Sequence, residues 1–306
     1  QARAMVLGNS RVLKLAALAV QEKRFARSAA EKDYFPKLIG SAWYFRFNDD
    51  LGSVVTTPGI FLPATAISIP VVNQDAPGGM LSLVQPITAL LKVKQAVNIA
   101  SADVHIAEAN IIKARRELSK GVEQLYFALY VLQQGHDLAQ AAVASAEQMA
   151  KQAPSELAYL VVILAKQELL TSESKATELT AQMNGLLEFP LDTELVLAAP
   201  SPTASLVAGE EEAIALALAS SPDIREARAT LCKAAAARSL AKSDFVPNVA
   251  VMGLYSAQDT TDLIQEDFSG IGVTATHTLF EWGKKKQVLR ERETTLGLAQ
   301  QNLRRT

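Results

Sequence analysis

Three histidines, one cysteine and two short runs of like charge are the residues of this 306-residue chain whose types could do chemistry. A metal site needs ligands that converge, and His105, His136 and His277 share no motif. His136 interrupts an otherwise apolar helical series, so it either stacks around a symmetry axis or is a hydrogen-bonded packing position. A lone Cys232 permits no internal disulfide and no cysteine metal site. Its alanine-rich surroundings suit a small packing residue. Lys284, Lys285 and Lys286 either meet headgroup phosphates or are solvated. Glu210, Glu211 and Glu212 suit the start of a helix, where the dipole favours negative charge. No nucleophile, base and orienting group stand together, so the reading is of a non-enzyme with no cofactor. A formal net charge of −2 offers no basic face for nucleic acid.

The elements that carry these residues follow from an internal repeat. Residues 4–38 align without a gap onto 215–249, at an offset of 211 fixed by Pro36 and Pro247. Ser10 then meets Ser221, Arg27 meets Arg238 and Asp33 meets Asp244. A second block, ITALLKVKQAV at 87–97, aligns with LFEWGKKKQVL at 279–289 at an offset of 192. The first connecting loop is therefore 19 residues longer than the second. Two blocks in the same order point to duplication.

Each repeat reads as helix, strand, loop, strand, helix. The first, 1–209, holds a helix over 1–36, strands at 39–48 and 80–85, a long helix over 86–150, a return helix over 155–187 and a connection over 188–209. The second, 210–306, holds a helix over 210–247, strands at 249–257 and 268–278, and the start of a long helix over 283–306. By the repeat it is truncated, with about a hundred further residues expected. Proline ends the first helices, and Pro86 suits a first helical turn. Ile39, Ser41, Trp43, Phe45 and Phe47 alternate with Gly40, Ala42, Tyr44, Arg46 and Asn48; Ile271, Val273 and Ala275 alternate with Gly270, Gly272, Thr274 and Thr276. A lipid-facing barrel and a half-buried soluble sheet both give such alternation. No run reaches the roughly 18 apolar residues of a spanning helix.

The long helix decides the architecture. From Leu90 to Ala150 apolar residues recur at 3-4 spacing, with His136 the one polar member, as in a coiled-coil seam. Ala114, Leu118 and Val122 are spaced 4 and 4, a stutter that locally unwinds the supercoil. At 1.5 Å per residue the helices over 86–150, 1–36 and 155–187 are about 97, 54 and 50 Å long. Two half-length helices thus match one full-length helix. The plainer alternative, a soluble coiled-coil scaffold without channel activity, leaves the strand pairs at the same point of both repeats unexplained.

Three segments carry a family resemblance. AIALALASSPDIREARATLCKAAAARSLAKSDFVPNV resembles the helix that leads to the barrel in the outer-membrane efflux proteins, the TolC-like exit ducts. VTATHTLFEWGKKKQ resembles their strand-to-helix re-entry, and LLEFPLDTELVLAAP their mid-length connection. The resemblance implies a mainly α fold with a small β part: an α-barrel of long antiparallel helices, and four strands per protomer in a twelve-stranded barrel closed by a homotrimer. It implies passive export from a tripartite efflux or type I secretion system, through the outer membrane and into the periplasm of a Gram-negative bacterium. Its partners would be a periplasmic adaptor, an inner-membrane pump and outer-membrane lipid. The loops 49–79 and 258–267 would face the exterior. The adaptor would meet the tip at Lys151, Gln152, Ala153, Pro154, Ser155 and Glu156, which lacks the glycine usual there. Trp43, Phe45 and Phe47 would form an interfacial aromatic belt rather than a soluble sheet core.

Overall fold

Serine and proline punctuate the helices at matching places in the two repeats. The computed structural model describes residues 2–49, 74–200, 209–259 and 265–306, and the backbone of 51–56 and 66–72. The helix expected over 1–36 is two helices, α1 (Ala2–Asn9) and α2 (Arg11–Lys32), parted at Ser10. Ser10 Oγ accepts from the Leu13 amide at 3.5 Å. The helix expected over 210–247 is likewise divided at Ser221, where Ser221 Oγ accepts from the Ile224 amide at 3.4 Å. Each serine caps the helix that follows, and Pro222 takes a first-turn position that needs no amide hydrogen.

The exits match as well. Beyond Lys32 the amides of Asp33, Tyr34 and Phe35 bond to Ala30, Glu31 and Lys32 carbonyls. At the repeat-equivalent residues, Asp244, Phe245 and Val246 bond to Ala241, Lys242 and Ser243 carbonyls. This tightening to i→i+3 bonds delivers the chain into a strand immediately after Pro36 and after Pro247.

Those strands are β1 (Lys37–Arg46) and a later partner. A hairpin of β2 (Leu51–Thr56) and β3 (Ala66–Val72) lies in the stretch expected to be loop. Residues 57–65 of that stretch lie outside the described residues. Next comes β4 (Asp75–Pro86), five residues earlier than expected. Asp75, Ala76 and Pro77 lie beyond the register with β5, and the Pro77 carbonyl accepts from the Asp259 amide at 3.0 Å, just past the end of β5. At its other end β4 absorbs Pro86, which closes a strand instead of opening a helix. The long helix α3 (Ala89–Gln152) starts three residues later, after Ile87 donates to the Val249 carbonyl at 2.8 Å.

The return helix α4 (Glu156–Leu187) ends at Glu188, whose left-handed φ of 60° caps it through the Asn184 and Gly185 carbonyls. The connection then folds back on the helix. Asn184, fully buried, donates to the Leu191 and Thr193 carbonyls at 3.2 and 2.8 Å. Residues 201–208 of the connection lie outside the described residues. After it come α5 (Glu210–Ser220), α6 (Pro222–Ser243), β5 (Asn248–Gln258), β6 (Asp267–Thr276) and α7 (Lys284–Arg305). Residues 260–264, within the expected 258–267 loop, lie outside the described residues.

The chain folds into two compact units, and each takes parts of both repeats. One comprises residues 1–23, 104–228 and Thr306; the other comprises 24–103 and 229–305. In the first, Val6, Val122, Leu129, Met183 and Leu187 form the core. In the second, the four strands make an antiparallel sheet in the order β1-β4-β5-β6. Among the described residues its buried hydrophobic side chains are alanines: Ala76, Ala102, Ala229, Ala234, Ala236, Ala241 and Ala299. Every position of the expected seam from Leu90 to Ala150 is buried or half-buried. Along the first half of α3 a second covered stripe runs at 3-4 spacing through Lys92, Gln95, Ile99, Ala102, Ile106, Ala109 and Lys113. A helix with two covered stripes has neighbours on two sides.

Candidate functional site

The sheet has two unlike faces, and the register assigns every residue to one of them. Leu38, Leu83, Gly253 and Ile271 are matched across the four strands. The same side therefore carries Leu81, Val251, Tyr255 and Val273. All are exposed or half-exposed, and Ile271 reaches 88%. The same side ends in Tyr44, Arg46, Asp75 and Asp267 at the strand ends remote from the helices. An apolar band of this kind, with no core packed on it among the described residues, is what hydrocarbon contact requires of a sheet.

The other side is mixed. Ile39, Ser82, Leu254 and Gly270 are matched there. With them lie Ser41, Asn248, Ser256, Thr274 and Thr276, and also Trp43, Phe45 and Phe268. Ser82, Ser256 and Ala76, the sheet's buried residues, all belong to this side. The alternation in the first repeat thus picks one face of the sheet, and that in the second picks the other. Trp43 and Phe45 stand opposite to Ile271 and Val273. Phe47 lies just beyond β1, stacked on Phe45 at a centroid distance of 6.2 Å. Trp43 is matched with Gly78, and a Cβ there would collide with the indole ring. Glycine at this place lets the ring lie against β4.

In the same unit, Lys92 and Asp244 join α3 to the end of α6 at 2.7 Å, and Asp103 joins α3 to Lys233 of α6 at 2.7 Å. The step from Lys92 to Asp103 along α3 equals the step from Asp244 back to Lys233 along α6, and the polarity reverses. After β6 the turn Leu279–Gly283 has two left-handed residues, Trp282 at φ 50° and Gly283 at φ 80°. It leaves Leu279 and Trp282 about nine-tenths exposed, with Phe280 edge-on to Trp282 at 4.9 Å.

In the other unit, Lys151, Gln152, Ala153, Pro154, Ser155 and Glu156 form a tight exposed turn between α3 and α4. Ser155 caps α4, its Oγ accepting from the Ala158 amide at 3.2 Å. Beside the turn, Lys166 of α4 meets Glu147 of α3 at 2.7 Å. This hydrogen-bonded ammonium holds the Glu147 carboxyl below its ordinary pKa. A feature missed from sequence lies on α4. Leu157, Leu160, Val161 and Leu164 are all exposed. The apolar run at 158–165 was the signal, and its outward stripe shows only once the α3-facing seam is known.

The histidines do not converge. His105 is 3.4 Å from Glu108, and His136 is 3.4 Å from Glu173 of α4 and from Gln140. His136 borders a cavity of about 570 Å³ that Glu173, Thr177, Leu195 and Leu197 also line. Farther along α3 toward its start, Lys113 pairs with Asp223 at 2.8 Å; the contact raises the lysine pKa and lowers that of the carboxyl.

A family model described as outer membrane efflux protein matches residues 3–158 and 213–306. No match was found among curated proteins. Among solved structures, the outer membrane protein VceC of Vibrio cholerae is similar over 99% of this chain and 74% of its own, at 18% identity and a TM-score of 0.78. The open-state MtrE outer membrane channel of Neisseria gonorrhoeae is similar over 99% and 69%, at 16% identity and a TM-score of 0.76. The CmeC outer membrane channel of Campylobacter jejuni follows over 99% and 66%, at 17% identity and 0.75.

Proposed function

We propose that this chain, which belongs to the outer membrane efflux protein family, is one protomer of a trimeric export channel in the outer membrane of a Gram-negative bacterium. The observation that carries the reading is the sheet. Among the described residues it is open at both edges, β1 and β6, and it presents an apolar face with nothing packed behind it. Unpaired backbone groups are not tolerated in hydrocarbon, so such a sheet must close. With four antiparallel strands, β1 and β6 run in opposite directions and can pair between copies. Three copies give twelve strands.

The helices would then enclose the periplasmic part of the conduit. The exposed apolar stripe of α4 and the large apolar side chains along α2 need cover, which neighbouring helices supply. The Lys151–Glu156 turn is the proposed contact for a periplasmic adaptor, which would link the channel to an inner-membrane pump. Without a glycine, that contact rests on the exposed leucines beside it. Solutes would pass by diffusion, and no catalytic step is needed. The scaffold alternative gives no role to the apolar sheet face.

The test is reconstitution of the full-length protein in planar bilayers. Stepwise conductance from a species with the mass of three chains is expected. A water-soluble monomer that leaves bilayers intact would sink the proposal.

A further inference from the structure

We infer that Trp43 and Phe45 line the water-filled side of the proposed barrel, as a narrowing and stacking surface for flat apolar cargo, and do not form its lipid-facing belt. The inference rests on the channel reading above and departs from the belt expected of these residues. Three observations carry it.

The first is register. Trp43 and Phe45 share their face with Ser41, Asn248, Ser82, Ser256, Thr274 and Thr276 and with Ile39, Met80, Met252 and Leu254, whereas Leu38, Leu81, Leu83, Val251, Tyr255, Ile271 and Val273 occupy the other, which ends in Tyr44, Arg46 and Asp75. A barrel in lipid turns its hydroxyl-bearing face to water. The second is burial. The sheet residues that are buried, Ala76, Ser82 and Ser256, lie on the Trp43 side, where neighbouring side chains cover them. Side chains crowd together on the enclosed face of a barrel and splay apart on its outer face. The third is the seat of the ring. The indole of Trp43 fills the space that a Cβ at Gly78 would take, so the ring lies against β4 and stays half-exposed. Phe45 follows two residues on, with Phe47 stacked against it. Phe268 adds a ring from β6 on the same face. These rings stand at the strand ends remote from α2, α3, α6 and α7. Flat aromatic solutes stack on such rings, whatever their hydrogen-bonding pattern.

Trp282 and any tryptophan outside these 306 residues are replaced by phenylalanine, which leaves Trp43 as the sole reporter. The full-length trimer carrying W282F is placed in bilayers of brominated lipid and, separately, titrated with aqueous acrylamide. A W43F/W282F/Y255W variant reports the opposite face. Trp43 emission is expected to fall several-fold more with acrylamide than with brominated lipid, and the tryptophan at position 255 is expected to show the reverse. Strong quenching of Trp43 by brominated lipid overturns the inference while leaving the channel reading intact. If brominated lipid quenches neither reporter, the chain is not in the bilayer, and both readings fall. In planar bilayers, W43A/F45A is expected to raise single-channel conductance and to weaken block by a planar aromatic cation several-fold. Unchanged conductance and block would overturn the assignment of a narrowing.

Discussion

The two compact units are held together by different kinds of side chain. In the unit without the sheet, the core is built from Val6, Val122, Leu129, Met183 and Leu187. In the sheet-bearing unit, the buried hydrophobic residues among those described are all alanine. Large branched side chains interlock, so their packing specifies how far one helix may slide along another. Alanine surfaces let helices approach closely but offer few knobs to set a register. There the register falls to charge. Lys92–Asp244 and Asp103–Lys233 are spaced equally along the two helices, with opposite polarity. A slip by that spacing brings Lys92 opposite Lys233, so the wrong alignment is repelled. Exposed ion pairs add little to stability, and their use here is to select one arrangement.

The comparison can be broken at four places. Met183→Ala empties the centre of the large-residue core and should cost about 3 kcal/mol, read as a fall in the urea midpoint of helical circular dichroism in detergent. A comparable midpoint would mean that this core does not hold its unit. Ala234→Leu should cost about 2 kcal/mol by overpacking an alanine surface. A neutral result would show that the sheet-bearing unit has room for knobs after all.

Asp103→Lys alone should cost less than about 1 kcal/mol, and Asp103→Lys with Lys233→Asp should restore the midpoint. Failure of the double reversal to restore it would remove charge as the register device. The smallest effect is on pH dependence. Asp223 and Glu147 have pKa values lowered by Lys113 and Lys166. Their contribution is full above the ordinary carboxylate range and is lost as pH falls through the lowered values. The Lys113 pKa is raised, so its share is full below the ordinary lysine value and is lost as pH rises through the raised one. Midpoints measured from pH 7 to pH 3 should fall in the acid arm, and D223N should flatten that fall. A flat wild-type profile would contradict the assignment.

Much of this was legible in the sequence because the repeat preserves spacing. Pro36 and Pro247 mark the strand starts, and the 3-4 series from Leu90 to Ala150 marks the covered side of α3. The helix breaks at Ser10 and Ser221 escaped because serine is tolerated inside helices. Only Pro222 signals one of them, and the repeat would have carried that signal to Ser10. The start of β4 escaped because Asp75–Gly79 reads as turn chemistry, and its strand form depends on β1 lying alongside. The faces of the sheet were half legible. Alternation fixes which residues share a side within one strand. It cannot say which side of β1 continues into which side of β6; the register between strands does that.

The even strand count per chain has a consequence for assembly size. Because each chain ends its sheet pointing opposite to the way it began, every added copy offers the same seam as the last. A chain with three or five strands would meet its neighbour head-on with parallel edges and a different bonding pattern. In the proposed ring the seam is thus the same whatever the number of copies. That number would be set by how the helices pack between copies, and mutations that alter ring size should map to helix flanks and not to strands.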